Sequence, residues 1–196
     1  MIQKLRVKFI TASMLSLALV LLVILGGVNA MSYQKVVRDA DRILALLSEN
    51  RGVFPQQTPP DDRGGKPGPI PVLGHGISPE TPFESRFFSV LLNEKGQVLQ
   101  SDTGQIAAVD DQSAGEMAQA VWSSGSASGF QGDYRYIRAA EAEGTRFIFV
   151  DCGRSLSNFR TTLIASVLVA LAGLLAVFLL LLSLSKRIVR PVAESY

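Results

Sequence analysis

The chain has 196 residues, 47% of them hydrophobic and only 18% charged, with a mean hydropathy of +0.26 and a formal net charge of +2. That hydrophobic share exceeds what a soluble domain of this charge content carries and points to the membrane class. The single cysteine, Cys152, excludes an intramolecular disulfide and a cysteine-based metal centre.

The chain opens on a basic segment, 1–8, carrying Lys4, Arg6 and Lys8, followed by Phe9 to Gln34 without one Asp, Glu, Lys or Arg. A first transmembrane helix is read over 9–30. Val28-Asn29-Ala30 also reads as a small-residue cleavage site behind a secretory signal. The apolar stretch Phe9 to Val28, at about 20 residues, is longer than the usual signal core of about 7 to 15, which favours an uncleaved anchor.

After the span, Tyr33, Val37, Ala40, Leu44 and Leu47 recur at steps of four and three. This is an apolar stripe at helical spacing, so the span is expected to continue outward as one long helix over 31–51. Gly52 ends it. From Pro55 to Pro82 come eight of the nine prolines, which remove donors and fix φ, so 52–82 is read as a Pro/Gly-rich irregular loop or a docking sequence for a proline-binding partner. His75, the only histidine, falls in this loop as a solvated residue without a second metal ligand beside it.

Regular structure resumes with RFFSVLLNEKGQVLQSD, in which Asn93-Glu94-Lys95-Gly96 joins two strands of a hairpin. DDQSAGEMAQAVWSSG then has acidic residues and a serine at its start, Met117, Ala120 and Val121 at helical steps, and Gly125 as its stop. Strands follow at Ala127 to Phe130, Tyr134 to Ala139 and Arg146 to Cys152, the last two joined by a turn around Glu143-Gly144. Alternation places Tyr134, Tyr136 and Arg138 on one face. They are read either as contacts for a small unknown ligand, with two polar-tipped aromatics beside a guanidinium, or as a half-solvated sheet face with cross-strand aromatic pairs. Phe147 and Phe149 share a face opposite Ile148 and Val150, the pattern of a strand buried on both sides. Cys152 ends that strand as a small buried hydrophobe or as an intermolecular bridge. Asp151 is expected to pair with Arg154, or to meet a divalent ion at the lipid surface.

Thr161 to Ser185 again carries no charged residue, and its roughly 25 residues cover about 37 Å as a helix against a hydrocarbon core of about 30 Å. The second transmembrane helix is read over 161–185. Lys186, Arg187 and Arg190 follow it, with Pro191, in a juxtamembrane segment 186–196. The two ends together sum to +5 and the segment Ser32 to Arg160 to −3, so the basic balance is wholly juxtamembrane. That pattern places both termini in the cytoplasm and 31–160 outside, makes the lipid bilayer the first partner, and excludes nucleic acid.

Two spans bracketing a helix–ββ–α–βββ domain, with Lys186, Arg187, Arg190 and Pro191 after the second, resemble the sensor region of a bacterial two-component sensor histidine kinase. The strings GDYRYIR and FIFVDC resemble the final strands of such sensors. The resemblance implies an α+β membrane protein in the cell membrane, with an extracytoplasmic PAS-like, or Cache-type, domain of about five antiparallel strands. It also implies a homodimer that senses an outside stimulus and controls autophosphorylation. Leu44 and Leu47 on a dimer helix, and Arg187, Arg190 and Pro191 at the inner junction, would transmit the signal, and a new helix would start at about Val192. The ligand is expected between the concave sheet face and the helix and loops that cover it. No His-Glu-x-Lys-Thr-Pro box or ATP-binding box is present. Catalytic residues, ATP, Mg and the contact with a response regulator would therefore belong to a kinase core beyond Tyr196, and no cofactor or metal is expected here. The rival readings are another output class, a chemoreceptor or a cyclase, and a complete small membrane protein acting as an interaction module.

Overall fold

The computed structural model describes residues 2–55, 78 and 80–193, with side chains described from 7 to 183 within those ranges. Most of the Pro/Gly-rich loop, His75 within it, and the side chains of Lys4, Arg6, Lys186, Arg187, Arg190 and Pro191 lie outside the described residues. The described elements are helix α1 (Ile2–Glu49), the short α2 (Thr81–Glu84), strands β1 (Phe87–Leu92) and β2 (Val98–Asp102), helix α3 (Asp111–Ser124), strands β3 (Ser128–Gln131), β4 (Tyr134–Glu141) and β5 (Gly144–Asp151), and helix α4 (Gly153–Ala193). Pro191 thus falls inside the bounds of α4 rather than ahead of a new helix.

The chain divides into two compact units, Met1–Gln34 with Ser157–Tyr196, and Lys35–Leu156. Among the described residues the first is made of helical segments alone. Both α1 and α4 contain a stretch long and apolar enough to cross a bilayer, and none of either stretch is buried inside protein. A core helix of a soluble domain would be covered. Within this unit the Tyr33 ring lies 5.7 Å from that of Phe159, tilted by 54°, and added side chains at Gly26, Gly27 or Gly173 would meet nothing.

The second unit is a single antiparallel sheet in the order β2-β1-β5-β4-β3, with helices against both faces. The β1–β2 hairpin closes as its sequence requires. The Asn93 side-chain oxygen accepts from the Lys95 and Gln97 amides, each at 2.9 Å, so the turn is held by the asparagine's own side chain. Asp110 caps α3 by accepting the Ser113 amide at 2.8 Å, and bonding from the Ser113 side chain, then from its amide, holds its carboxyl below the ordinary value.

Period-two alternation sorts the core. On one face Phe88, Val90, Leu92, Phe147, Phe149 and Tyr136 pack with Ala114, Ala118 and Val121 of α3. Phe88 and Phe149 stack at 4.6 Å and 7°. On the other face Phe87, Ile148 and Val150 receive Leu44 and Leu47 of α1. As the phenylalanine alternation predicts, β5 is buried on both sides.

Helix α1 ends because Arg51 and Gly52 take left-handed conformations, φ 55° and 83°, and the Gly52 amide donates back to the Leu47 carbonyl at 2.8 Å. A Cβ on Gly52 would stand 2.9 Å from Ser89 Oγ and 3.3 Å from Arg146 Cδ, so both the backbone and the sheet below it demand glycine. Arg146 is itself buried, held by Glu141 at 2.6 and 3.2 Å and by Ser89 at 3.3 Å. This bidentate pair satisfies the guanidinium where water cannot reach it.

Candidate functional site

The last strand hands the chain to α4 through one residue. Asp151 closes β5 and Gly153 opens α4, with Cys152 between them. Three hydrogen bonds set this junction. The Asp151 amide donates to the Arg86 carbonyl at 2.9 Å and the Cys152 amide to the Asp133 carbonyl at 2.9 Å. The Gly153 amide donates to Asp151 Oδ1 at 2.7 Å, which meets one of the donors that every helix start leaves open.

The other carboxylate oxygen of Asp151 lies 2.9 Å from Arg86 Nη2. The expected partner was Arg154, three residues on. Arg86 takes that place because antiparallel pairing of β1 with β5 brings Phe87 opposite Val150, which sets the residue before β1 beside the end of β5. Among the described residues neither Arg154 nor Glu84 is in an ion pair.

Cys152 is buried against Ala40, Leu156, Val36 and Phe130, and its thiol lies 3.6 Å from the Val150 carbonyl oxygen. Burial above all, and then the Asp151 charge, push this thiol up. The structure thus gives the cysteine to the core; a bridge to a second chain would have to extract it.

Nearby, Arg135 grips Asp41 of α1 through two hydrogen bonds of 2.8 and 3.2 Å while its guanidinium stands 5.1 Å from the centre of the Phe130 ring. These contacts tie α1 to β4 and β3 beside the root of α4.

A cleft of about 630 Å³ opens at the same place, between the outer part of α1, α2 and the β5–α4 junction. Its charged walls include Arg42, Glu84, Arg86, Asp151 and Arg154, and its apolar patches are Ile43, Phe83 and Val150. Two of its arginines are already engaged, Arg42 with Asp39 at 3.5 Å and Arg86 with Asp151.

The residues singled out from sequence fall elsewhere. Tyr134 meets Phe88 edge-on at 5.5 Å and 76°, and Tyr136, only 5% exposed, packs on Phe149 at 5.8 Å. Burial first, and then the charge of Asp151, push the Tyr134 hydroxyl up. Arg138 is exposed further along β4. The three share a face as alternation requires; Tyr136 belongs to the core beneath α3, Tyr134 packs against it partly buried, and none of the three borders the cleft. Beneath α3 the sheet face carries Phe88, Phe147, Phe149 and Tyr136, packed with Ala114, Ala118 and Val121.

Leu44 and Leu47, assigned to a dimer helix, are 1% and 0% exposed within a single chain, seated on Phe87, Ile148 and Val150. The stripe is real, but the sheet of the same chain covers it. Among the described residues no group of three or more His, Cys, Asp or Glu is placed to hold a metal ion.

Sequence reasoning missed Arg86, Asp41 and Arg135. Their pairings lie far apart along the chain, and the β1–β5 pairing and the packing of α1 on the sheet bring them together. Comparisons with protein-family models, with curated proteins and with solved structures gave no match for this chain.

Proposed function

We propose that the chain is the sensing and membrane-crossing portion of a two-component sensor histidine kinase, with a PAS-like domain outside the cell membrane and both termini in the cytoplasm. The observation that carries this reading is the junction at Cys152. The central strand β5, buried on both faces, passes through one residue into a helix that contains a membrane-length apolar stretch. A displacement of β5 would thereby reach the bilayer along a continuous helix.

The helix–ββ–α–βββ order, closed into one antiparallel sheet, supports the PAS-like reading, and the cations at both ends support the orientation. In this reading two chains pair, and a kinase core carried beyond Tyr196 binds ATP and Mg and addresses a response regulator. A signal acts by its differential affinity for two packings of the domain, separated by a few kcal/mol.

The test is to read the open frame past Tyr196 and assay its full product in inverted membrane vesicles with labelled ATP. Acid-labile, base-stable phosphate on the polypeptide is expected. A chemoreceptor or cyclase sequence downstream, or a full product without phosphohistidine, would overturn the kinase assignment. Orientation is tested separately in a Cys152→Ala background: a cysteine at exposed Ser128 should react with an impermeant maleimide on intact cells, and one at Lys4 only after lysis. The reverse pattern would refute the topology.

A further inference from the structure

We propose that the cleft at the root of α4 binds a small organic carboxylate, which competes with Asp151 for Arg86. The binding claim stands on the cleft itself; only its consequence for signalling rests on the reading above.

Three observations converge on this chemistry. First, the cleft already shows carboxylate recognition, since Arg86 Nη2 holds Asp151 at 2.9 Å. The guanidinium side of that pair is open to water, the Arg86 side chain being 53% exposed while that of Asp151 is 12%, so a carboxylate from solution can reach Arg86. Second, Arg154 is exposed on the same wall without an ion-pair partner among the described residues, one α-helical step from the Gly153 amide that Asp151 accepts. It supplies a first anchor from which a bound oxyanion can reach Arg86. Third, the lining carries apolar surface beside the guanidiniums: Ile43, Val150, and a Phe83 ring that is 82% exposed. A ring or short chain on the ligand would cover it.

The charges of the lining also set the valence. Asp39, Glu84 and Asp151 balance Arg42, Arg86 and Arg154, so each added negative charge goes uncompensated, and a singly charged anion with an apolar body fits better than a phosphate dianion, which brings twice that charge. Placing a planar carboxylate against guanidinium donors gives parallel charge-assisted bonds. When Arg86 turns to the ligand, Asp151 keeps the Gly153 amide but loses its side-chain link to the β1 lead-in, and the first turn of α4 is then held by that bond, by backbone bonds and by the packing of Leu156.

The experiment titrates the whole chain in lipid nanodiscs with benzoate by calorimetry, with benzamide as the neutral isostere and inorganic phosphate as the competing anion class. Saturable benzoate binding below about 5 mM is expected, with benzamide at least tenfold weaker, roughly what one charged hydrogen-bonding partner supplies. Arg154→Gln should weaken benzoate by about tenfold or more. Asp151→Asn should tighten it, because the resident competitor is gone; a merely structural Asp151 would not produce that gain. Benzoate without saturation up to about 20 mM, equal binding of benzamide, tighter binding of phosphate, or an unchanged Arg154→Gln variant would each overturn the proposal. Should Asp151→Asn fail to fold, Arg154→Gln decides, since its side chain is exposed and holds no ion pair. None of these readouts involves phosphorylation, so failure here and failure of the kinase reading are distinguishable.

Discussion

Replacing Leu47 by alanine separates a helix that packs on its own sheet from one that packs on a second chain. Leu47 is 0% exposed among Phe87, Ile148 and Val150. Truncation removes three methylene equivalents at about 0.8 kcal/mol each, near 2.4 kcal/mol. The hole adds up to about 1.5 to 2 kcal/mol if the sheet, rigid on that side, does not collapse into it. The expected loss is therefore about 3 to 4 kcal/mol, a large part of the stability of a domain this size.

The assay is proteolysis in a urea series on the whole chain in nanodiscs, following cleavage within the sheet unit, with Arg38→Ala as a control. Arg38 is exposed on the same helix, and its loss should stay within about 0.5 kcal/mol. Because the contact is intramolecular, the shift for Leu47→Ala should not depend on how many chains share a nanodisc. A loss below about 1 kcal/mol, or one that vanishes when a single chain occupies each disc, would refute the packing argument and return Leu47 to a dimer seam.

Two further outcomes follow from particular positions. A Cβ at Gly144, whose φ is 154°, would collide with the Leu92 carbonyl oxygen, a backbone atom that cannot swing aside; Gly144→Ala should cost about 2 to 4 kcal/mol, read as a lowered urea midpoint, and a wild-type midpoint would show that the β1 edge yields. The Cys152 thiol, raised by burial, keeps its proton in the folded state when the unfolded chain has lost it. Stability should therefore be full below the unfolded thiol value of about 8.5 and fall as pH climbs from there towards the folded value. Cys152→Ala should flatten that slope, leaving the later fall contributed by Tyr134, whose hydroxyl is raised too. A slope unchanged in the alanine variant would place its origin elsewhere.

What the sequence disclosed, and what it hid, divides by the range of the interaction. The five strands, the β1–β2 turn and the ends of α3 were legible because alternation, Asn93, Asp110 and Gly125 act within a few residues of themselves. The two-sided burial of β5 was legible from Phe147 to Val150 for the same reason. The stripe at Leu44 and Leu47 announced a buried helix face without saying what covers it, since a sheet of the same chain and a helix of another offer the same apolar surface. Alternation placed Tyr134 and Tyr136 on one face without reporting depth: Tyr136 is buried and Tyr134 partly buried. Asp151 was assigned Arg154 by proximity in sequence, whereas Arg86 arrives by strand pairing, which no local pattern records.

The chemistry of the two helix attachments indicates where the sheet unit yields first. Helix α1 is held to the sheet by Leu44 and Leu47, fully buried, and by the bidentate grip of Arg135 on Asp41. Apolar packing of this kind is lost only by opening a hole. The first turn of α4 is held by Leu156 and by polar links at Asp151, one of them an ion pair with a half-exposed guanidinium. Polar links can be exchanged without opening a hole, because a solvent-borne carboxylate would take up the Arg86 donor that Asp151 releases, while Asp151 keeps the Gly153 amide. A change that leaves Leu44 and Leu47 seated is therefore far cheaper at the β5–α4 junction than anywhere along α1. In the proposed sensor, a second packing of the domain should accordingly differ from the first at Asp151 and Gly153 before it differs at the α1 face.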